Sequence, residues 1–236
     1  MPPFLPVLTI DAAHWKLPSI IGIFAVVGAA FIVHTYLEKR RREALSRMAL
    51  RLGFSFAPNS QETPREAHGQ LPLFTRGHSQ AARNVMEGVA SGHPARIFDY
   101  QYTVGSGKHS STHRQTVVAF YLAGNLLPEF SMEPEHIFHR IGEAFGYKDI
   151  DFTHHPEFSR SYFLRGKDEQ AIRTLFQPSL LTLFSREKSW NVEGGGDRLI
   201  VYQWSKRAKP EEIGRFLEDT TRIAELFVTR SFRSPS

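Results

Sequence analysis

The chain has 236 residues with 29 basic and 24 acidic side chains, which give a formal net charge of +5 and an isoelectric point near 9.6. It contains no cysteine, which excludes disulfides, thiol catalysis and zinc or iron–sulfur sites ligated by cysteine. The length is sufficient for one well-cored domain in addition to a membrane anchor.

An uncharged segment of 21 residues, Leu17 to Leu37, is the clearest feature of the N-terminal region. A bilayer core about 30 Å thick needs about 20 apolar residues in a helix. Helix is favoured because backbone amides in lipid must be satisfied within the segment. A cleaved signal peptide carries its positive charge before the apolar run, whereas here the charge follows it. We therefore predict a transmembrane helix at 17–37, preceded by a short extracytoplasmic N-terminus at 1–16.

A basic run follows the apolar segment at once, and it predicts the orientation in the membrane. Lys39, Arg40, Arg41 and Arg42 are the topology-determining residues, whereas Lys16 alone precedes the segment. Positive charge is retained on the cytoplasmic side, so the chain is predicted to be single-pass with its N-terminus out. Residues 38–53 are expected to form a basic juxtamembrane helix, in which residues 39–51 could attract anionic lipid head groups.

The remaining charge is almost balanced, since residues 52–236 hold 22 basic and 21 acidic side chains. The high isoelectric point therefore belongs to the membrane junction, and nucleic-acid binding is not favoured. One uneven region keeps that possibility open as an alternative. Residues 65–114 hold six basic and three acidic side chains together with five histidines, which suits nucleic acid or anionic lipid.

Residues 54–69 are polar and include two prolines, so they are predicted to be a connector to a soluble domain at 70–229. Within that domain, strands are predicted from alternating or β-branched runs and helices from 3.6-residue stripes. A polar hairpin loop is expected at 105–113, and residues 230–236 are expected to be a disordered tail. The predicted strands are 82–90, 96–102, 116–122, 130–132, 162–164, 190–193 and 199–204, and the predicted helices begin near 134, 168, 180 and 210.

Hairpins dominate this order, and regular strand–helix–strand alternation is missing. The pattern favours an α+β fold, in which a single N-terminal transmembrane helix is followed by an antiparallel sheet with helices packed on one side.

Candidate catalytic residues are few. Asp99 lies in a predicted strand whose alternation turns Phe98 and Tyr100 inward and Asp99 outward. His109 and His113 lie in the predicted hairpin loop. These three are weak candidates for acid–base catalysis. The histidine spacings match no zinc pattern, so neither a metal site nor a cofactor is predicted.

Five short motifs carry a resemblance to a known group of proteins. They are Asn84-Val85-x-x-Gly88, Phe98-Asp99-Tyr100-x-Tyr102, Gly107-Lys108, Gln115-Thr116-Val117 and Leu127-Pro128-x-Phe130-x-x-x-Pro134-Glu135. Over roughly residues 70–205 the chain resembles uncharacterised bacterial proteins that have an N-terminal membrane helix and a soluble domain of unknown function. The resemblance implies a protein of the bacterial inner (plasma) membrane and carries over no catalytic residue.

Together these observations favour a membrane-anchored cytoplasmic interaction or scaffold domain without catalysis. Its expected partners are the lipid bilayer and a protein. A tethered enzyme of hydrolase type, using Asp99 and the loop histidines, is the alternative. The second alternative is binding of nucleic acid or anionic lipid through residues 65–114. The sequence leaves the process served, the partner and the oligomeric state open.

Overall fold

The computed structural model describes residues 16–137 and 148–228, with side chains from residue 21 onward. The predicted extracytoplasmic N-terminus, most of the helix predicted from residue 134, and the predicted disordered tail lie outside the described residues. The chain divides into two compact units, Met1–Glu43 and Ala44–Ser236.

Helix α1, Lys16–Arg51, begins in the first unit and ends in the second. In the first unit its apolar side chains are exposed, as at Phe24 and Phe31. The most apolar stretch has a mean hydropathy of 1.7, and none of it is buried. A helix of 36 residues is about 54 Å long at 1.5 Å per residue. By length and composition it could therefore cross a membrane, whose core is about 30 Å thick.

The second unit is built on one antiparallel sheet. Its described strands run in the order β1-β2-β3-β4-β8-β7-β5-β6, and every neighbouring pair is antiparallel. The strands are β1 Ser55–Asn59, β2 His78–Ala90, β3 His93–Val104, β4 Ser111–Tyr121, β5 Leu127–Pro134, β6 Tyr162–Gly166, β7 Asn191–Gly196 and β8 Arg198–Tyr202.

Five further described helices accompany the sheet. They are α2 Pro64–His68, α3 Pro156–Ser159, α4 Glu169–Leu175, α5 Pro178–Arg186 and α6 Ile213–Phe227. Three short 3-10 turns lie at Pro72–Thr75, Gly107–His109 and Pro210–Glu212. Proline occupies the first turn of α2, α3 and α5, where its missing N–H costs no hydrogen bond.

Helices α3 to α6 cover one face of the sheet, which we call the helix face. The sheet residues that point into it alternate along the strands, as Ile97, Val118 and Val201 show. The last turns of α1 add Leu45 and Ala49 to the same core. Burial of this apolar surface is the main favourable contribution to the free energy of folding. The helices contribute Phe158, Ile172, Phe184, Leu217, Ile223 and Phe227.

The opposite face is covered by residues 63–76, which we call the strap. The strap contains α2 and the first 3-10 turn, and it buries Leu71, Leu73 and Phe74. The ring of Phe74 lies edge-on to that of Tyr100, with the centroids 5.2 Å apart. The sheet side of this smaller core consists of Val85, Phe98, Tyr100, Tyr102, Val117, Ala119, Ile200 and Tyr202.

The predicted fold class, α+β with an antiparallel sheet and helices packed alongside it, is confirmed. Helices α3 to α6 lie on one side, and only the short helix α2 among the described helices lies on the other. Two local details differ from the prediction. The predicted connector, 54–69, holds β1 and α2, because Phe54 and Ala67 supply apolar surface that the polar composition concealed. The predicted hairpin loop is shorter, since β3 continues to Val104 and β4 begins at Ser111.

Candidate functional site: a charged cluster and cavity beneath the strap

A buried ionic cluster lies between the strap and the sheet. Glu133 accepts hydrogen bonds at Oε1 from Arg76 of the strap and from Nη2 of Arg165, the latter at 3.0 Å. The Ser131 hydroxyl donates to the same oxygen at 3.2 Å. All four side chains are buried. Two guanidinium groups around one carboxylate offset part of the large cost of removing the three charges from water.

A second buried carboxylate, Glu193 of β7, faces the strap as Glu133 of β5 does. It accepts a hydrogen bond from the Leu73 backbone N–H at 2.9 Å and one from the Tyr202 hydroxyl at 2.9 Å. Burial raises the pKa of Glu193 to about 7, and the charge of Arg76 opposes that rise. The cluster therefore contains one acid, Glu193, that changes its protonation near neutral pH. The hydrogen bonds of the cluster also attach the strap to the sheet.

Next to this cluster is a cavity of about 350 Å³, which we call the strap cavity. Arg165 and Ser131, which both bind Glu133, also line it. The cavity therefore borders the ionic cluster through these two side chains. Its remaining lining consists of His68, Gly69, Gln70, Leu71, Pro72, Glu129, Phe130, Gly166, Lys167, Gly194, Gly195, Gly196 and Arg198.

Glycines in β7 leave room for the strap cavity. A Cβ atom at Gly195 would lie 3.4 Å from Glu129 Cγ and 3.7 Å from Leu71 Cδ2, which is close to ordinary contact distance. A Cβ at Gly194 would lie 2.4 Å from Phe130 Cε1, on the helix face. Gly194 is thus required by packing, whereas the missing side chain of Gly195 keeps the cavity open. The pairing of β5 with β7 is also irregular between Leu127 and Phe130, and such bulges are frequent near functional sites.

His68 ends α2 and forms part of the cavity wall. Its ring stacks on Phe98 with the centroids 5.2 Å apart. Burial, followed by the charges of Arg96 and Arg198, lowers its pKa to about 3. His68 is therefore neutral at physiological pH. His68 and Arg198 also line a second cavity of about 350 Å³ on the β3 and β4 side, so these two residues separate neighbouring spaces.

The catalytic candidates from the sequence are not brought together. Asp99 is buried rather than turned to solvent, and it accepts hydrogen bonds at 3.0 Å from Asn84 Nδ2 and from Thr116 Oγ1. Asn84 has a φ of 53° and lies at a register shift in β2. By accepting a hydrogen bond from Asn84, Asp99 therefore stabilises a β-bulge. Asparagine tolerates this left-handed backbone better than most residues.

His113 projects from the opposite face of β4, because Thr116 pairs with Asp99 and His113 pairs with Tyr102, three positions along. Its Nδ1 lies 2.8 Å from the Ser205 hydroxyl oxygen, and its ring lies 4.9 Å from that of Trp204. Burial and the charge of Arg76 lower the pKa of His113. His109 is exposed in a 3-10 turn.

The topology residues of the basic run lie on α1. Lys39, Arg40 and Arg42 are exposed, and Arg41 is half-buried. The guanidinium carbon of Arg40 lies 5.5 Å from the Tyr36 ring centroid, within the range of a cation–π contact. In residues 16–137 and 148–228, no three histidine, aspartate or glutamate side chains converge in a way that would suit a metal ion.

Sequence reasoning missed Arg76, Arg165 and Glu193 as members of a cluster. Each is a single charged residue in or beside an apolar segment, and such residues usually face solvent. The signal that could have found Glu193 is its place between Val192 and a run of three glycines in a predicted hairpin strand. A run of glycines leaves unfilled space next to a strand, and a charged residue beside the run, such as Glu193, can face that space.

Comparisons with known proteins place the fold but no family. No family model matches the chain, and no curated protein matches it. Among solved structures, the crystal structure of the mycobacterial trehalose monomycolate transport factor A, TtfA, is similar. The TM-score is 0.54 at 13% sequence identity, and the match covers 80% of this chain and 95% of that chain. At this identity the likeness shows a shared fold alone.

Proposed function

We propose that this protein is a membrane-anchored, non-catalytic interaction domain of the bacterial inner membrane. The observation that carries the proposal is the fully exposed apolar part of α1, joined to a unit that has its own buried core. Exposed apolar side chains on such a helix are stable in lipid and costly in water.

The orientation proposed is single-pass, with the N-terminus outside and the domain in the cytoplasm. It is supported by Lys39, Arg40, Arg41 and Arg42, which follow the apolar segment directly. Residues 39–51 are proposed to contact anionic lipid head groups, each exposed basic side chain contributing about 1 kcal/mol near the surface.

A binding role for the domain has two kinds of support. The fold is similar to that of a protein named as a transport factor, which favours a membrane-associated and non-catalytic role. In addition, the catalytic candidates Asp99 and His113 lie on opposite faces of the sheet. Restriction to a membrane raises the effective concentration of a binding surface, so a modest affinity for a protein partner suffices.

Reporter fusions test the orientation. Alkaline phosphatase is active only outside the cytoplasm, so a fusion after residue 228 is expected to be inactive and a fluorescent protein at that position to be bright. Replacing Lys39, Arg40, Arg41 and Arg42 by glutamine together is expected to weaken this bias, because these charges retain the flank in the cytoplasm. Strong phosphatase activity of the unaltered fusion would refute the proposed topology.

Crosslinking in native membranes tests the interaction role. Photoreactive residues placed on exposed positions of the strap side are expected to capture a discrete protein from the intact chain. Deletion of residues 1–42 is expected to release the domain from the membrane and to reduce that capture. Unchanged localisation and unchanged partners after the deletion would eliminate the proposal.

A further inference from the structure

We propose that the strap cavity is a binding site for a small amphiphile that carries one carboxylate on an apolar body. The inference rests on the juxtaposition of an apolar wall, a glycine floor and three cationic side chains around one space. It goes beyond the proposed interaction role, because it concerns a small ligand and does not require a protein partner.

The apolar part of the cavity is suited to a hydrocarbon chain or ring. Leu71 and Pro72 of the strap line it near Gly195 of β7, whereas the Phe130 ring packs into the helix face. Gly195 has no side chain, so the part of the cavity surface that lies near Leu71 consists of backbone atoms. A volume of about 350 Å³ is at the lower end of the range of about 300–1,000 Å³ for small-molecule sites. An apolar body placed there would lose most of its contact with water.

The charges that line the cavity favour an anion. Arg165, Lys167 and Arg198 line it together with a single acid, Glu129. The acids that pair with two of these cations, Glu133 and Asp197, do not line it. These two cations therefore line the cavity without the carboxylates that pair with them. This arrangement repels a cationic head group and attracts an anionic one.

Arg165 gives the site its geometric preference. Its side chain is only 5% exposed, and its Nη2 is held 3.0 Å from Glu133 Oε1. A guanidinium group fixed in this way presents planar N–H donors that suit a carboxylate. Lys167 is different, because its side chain and that of its partner Glu129 are each 65% exposed. Such exposed pairs contribute little, so Lys167 can move to a ligand.

A photoreactive fatty acid tests the proposal on the full chain in native membranes. The probe is decanoic acid with a diazirine at the chain end, and the matched control is the decyl trimethylammonium ion with the same diazirine. Both probes enter the bilayer, so labelling of residues 21–37 provides an internal reference. Peptide mapping by mass spectrometry then measures labelling of residues 68–72, 127–131 and 194–198 relative to that reference.

The expected result is cavity labelling by the carboxylate probe, competition by unlabelled decanoate, and little labelling by the cationic probe. Gly195→Leu is expected to reduce the cavity signal roughly tenfold, since its side chain occupies the apolar space. Gly195→Ala is the matched control, because one Cβ fits near contact distance, and it is expected to retain labelling.

A second pair of variants keeps the test decisive if Gly195→Leu does not fold. Lys167→Met removes an exposed cation that lines the cavity, and Lys209→Met removes an exposed cation that does not. Lys209 forms a comparable exposed pair with Glu212 at 3.3 Å. Lys167→Met is expected to lower cavity labelling a few-fold, and Lys209→Met to leave it unchanged.

Three results would overturn the proposal. Equal cavity labelling by the cationic probe would remove the anion preference. Unchanged labelling in a folded Gly195→Leu protein would place the probe elsewhere. Labelling confined to residues 21–37 would show that the fatty acid enters the bilayer and not the cavity. None of these results would bear on whether α1 anchors the chain or whether a protein partner exists.

Discussion

The two faces of the sheet are both buried, but by different kinds of side chain. The helix face is filled mainly by apolar groups, among them Phe130, Phe176 and Phe227, whose ring centroids lie 5.3 to 5.7 Å apart. The strap face combines a small aromatic core with Arg76, Glu133, Arg165 and Glu193. Apolar packing tolerates modest rearrangement, whereas buried charges require specific partners.

This difference indicates where stability and chemistry are located in the fold. The helix face stabilises the sheet by burying apolar surface. The strap face can therefore hold a cavity and an ionic cluster, which contribute less net stabilisation to the fold. If that division is correct, substitutions on the strap face should act through charge and pH, and those on the helix face through volume.

The largest effect is expected for Glu133→Ala. The substitution removes the acceptor for both Arg76 and Arg165 and leaves two buried positive charges without their carboxylate. We expect a loss of about 3–5 kcal/mol in the free energy of unfolding, which is typical when one partner of a buried ion pair is removed. Urea unfolding of the full chain in mild detergent, followed by tryptophan fluorescence, measures this loss.

Glu129→Ala is the control for this prediction. Glu129 belongs to the exposed pair with Lys167, so its removal should change the free energy of unfolding by less than about 1 kcal/mol. Similar losses in both variants would mean that the buried cluster does not differ energetically from a surface ion pair, and the proposed contrast between the faces would fail.

Next in size is the pH dependence produced by Glu193. Its carboxyl has a pKa of about 7 in the fold against an ordinary value of 4.5, so the folded chain binds more protons between these values. The contribution of Glu193 to stability should therefore fall as pH rises from about 4.5 to about 7, and then level off. His68 contributes in the opposite direction, because its pKa is lowered from 6.5 to about 3 in the fold, so the effect of Glu193 is measured as a difference between two proteins that both contain His68. The groups around Glu193 are Arg76, Glu133 and Tyr202, with Tyr102 near the same arginine.

Glu193→Gln isolates this contribution. Glutamine does not ionise. It keeps one acceptor oxygen for the Leu73 N–H, and its amide N–H can donate to the Tyr202 hydroxyl oxygen in place of the second bond. Relative to the unaltered chain, the variant should gain up to about 3 kcal/mol between pH 4.5 and 7.5. Asp149, whose pKa burial raises to about 6, is present in both proteins and cancels in the difference. A difference that does not vary with pH would show that Glu193 does not titrate in this range.

Alanine substitutions at two neighbouring glycines test how much added side-chain volume each face of the sheet tolerates. Gly194→Ala would place Cβ 2.4 Å from the Phe130 ring, which is held between Phe176 and Phe227. Such overpacking costs about 1–3 kcal/mol. Gly195→Ala meets atoms no closer than 3.4 Å and should be neutral or stabilising by about 0.5 kcal/mol, since alanine loses less backbone entropy than glycine. Equal thermal unfolding midpoints would remove the distinction.

The sequence predicted the helix face far better than the strap face. The stripe Ile213, Leu217, Ile223 and Phe227 repeats at helical spacing and is buried, because amphipathic periodicity is a local signal. The ionic cluster joins residues as far apart as Arg76 and Arg165, and no local pattern encodes that meeting. Asp99 shows the same limit. Alternation correctly opposes it to Phe98, but a sheet covered on both faces has no outward side.

Apart from the controls, the smallest loss of stability is expected for the caps of two short helices, one on each side of the sheet. Thr63 caps α2 through a reciprocal pair of bonds with Glu66, and Asp168 caps α4 by accepting from Ala171 N at 2.9 Å. Replacing either residue by alanine should cost about 1 kcal/mol. Only Thr63→Ala should also reduce labelling of the strap cavity by the fatty-acid probe, because α2 carries His68 in the cavity wall. Equal labelling in both variants, at equal loss of stability, would show that the cavity does not depend on the position of the strap helix.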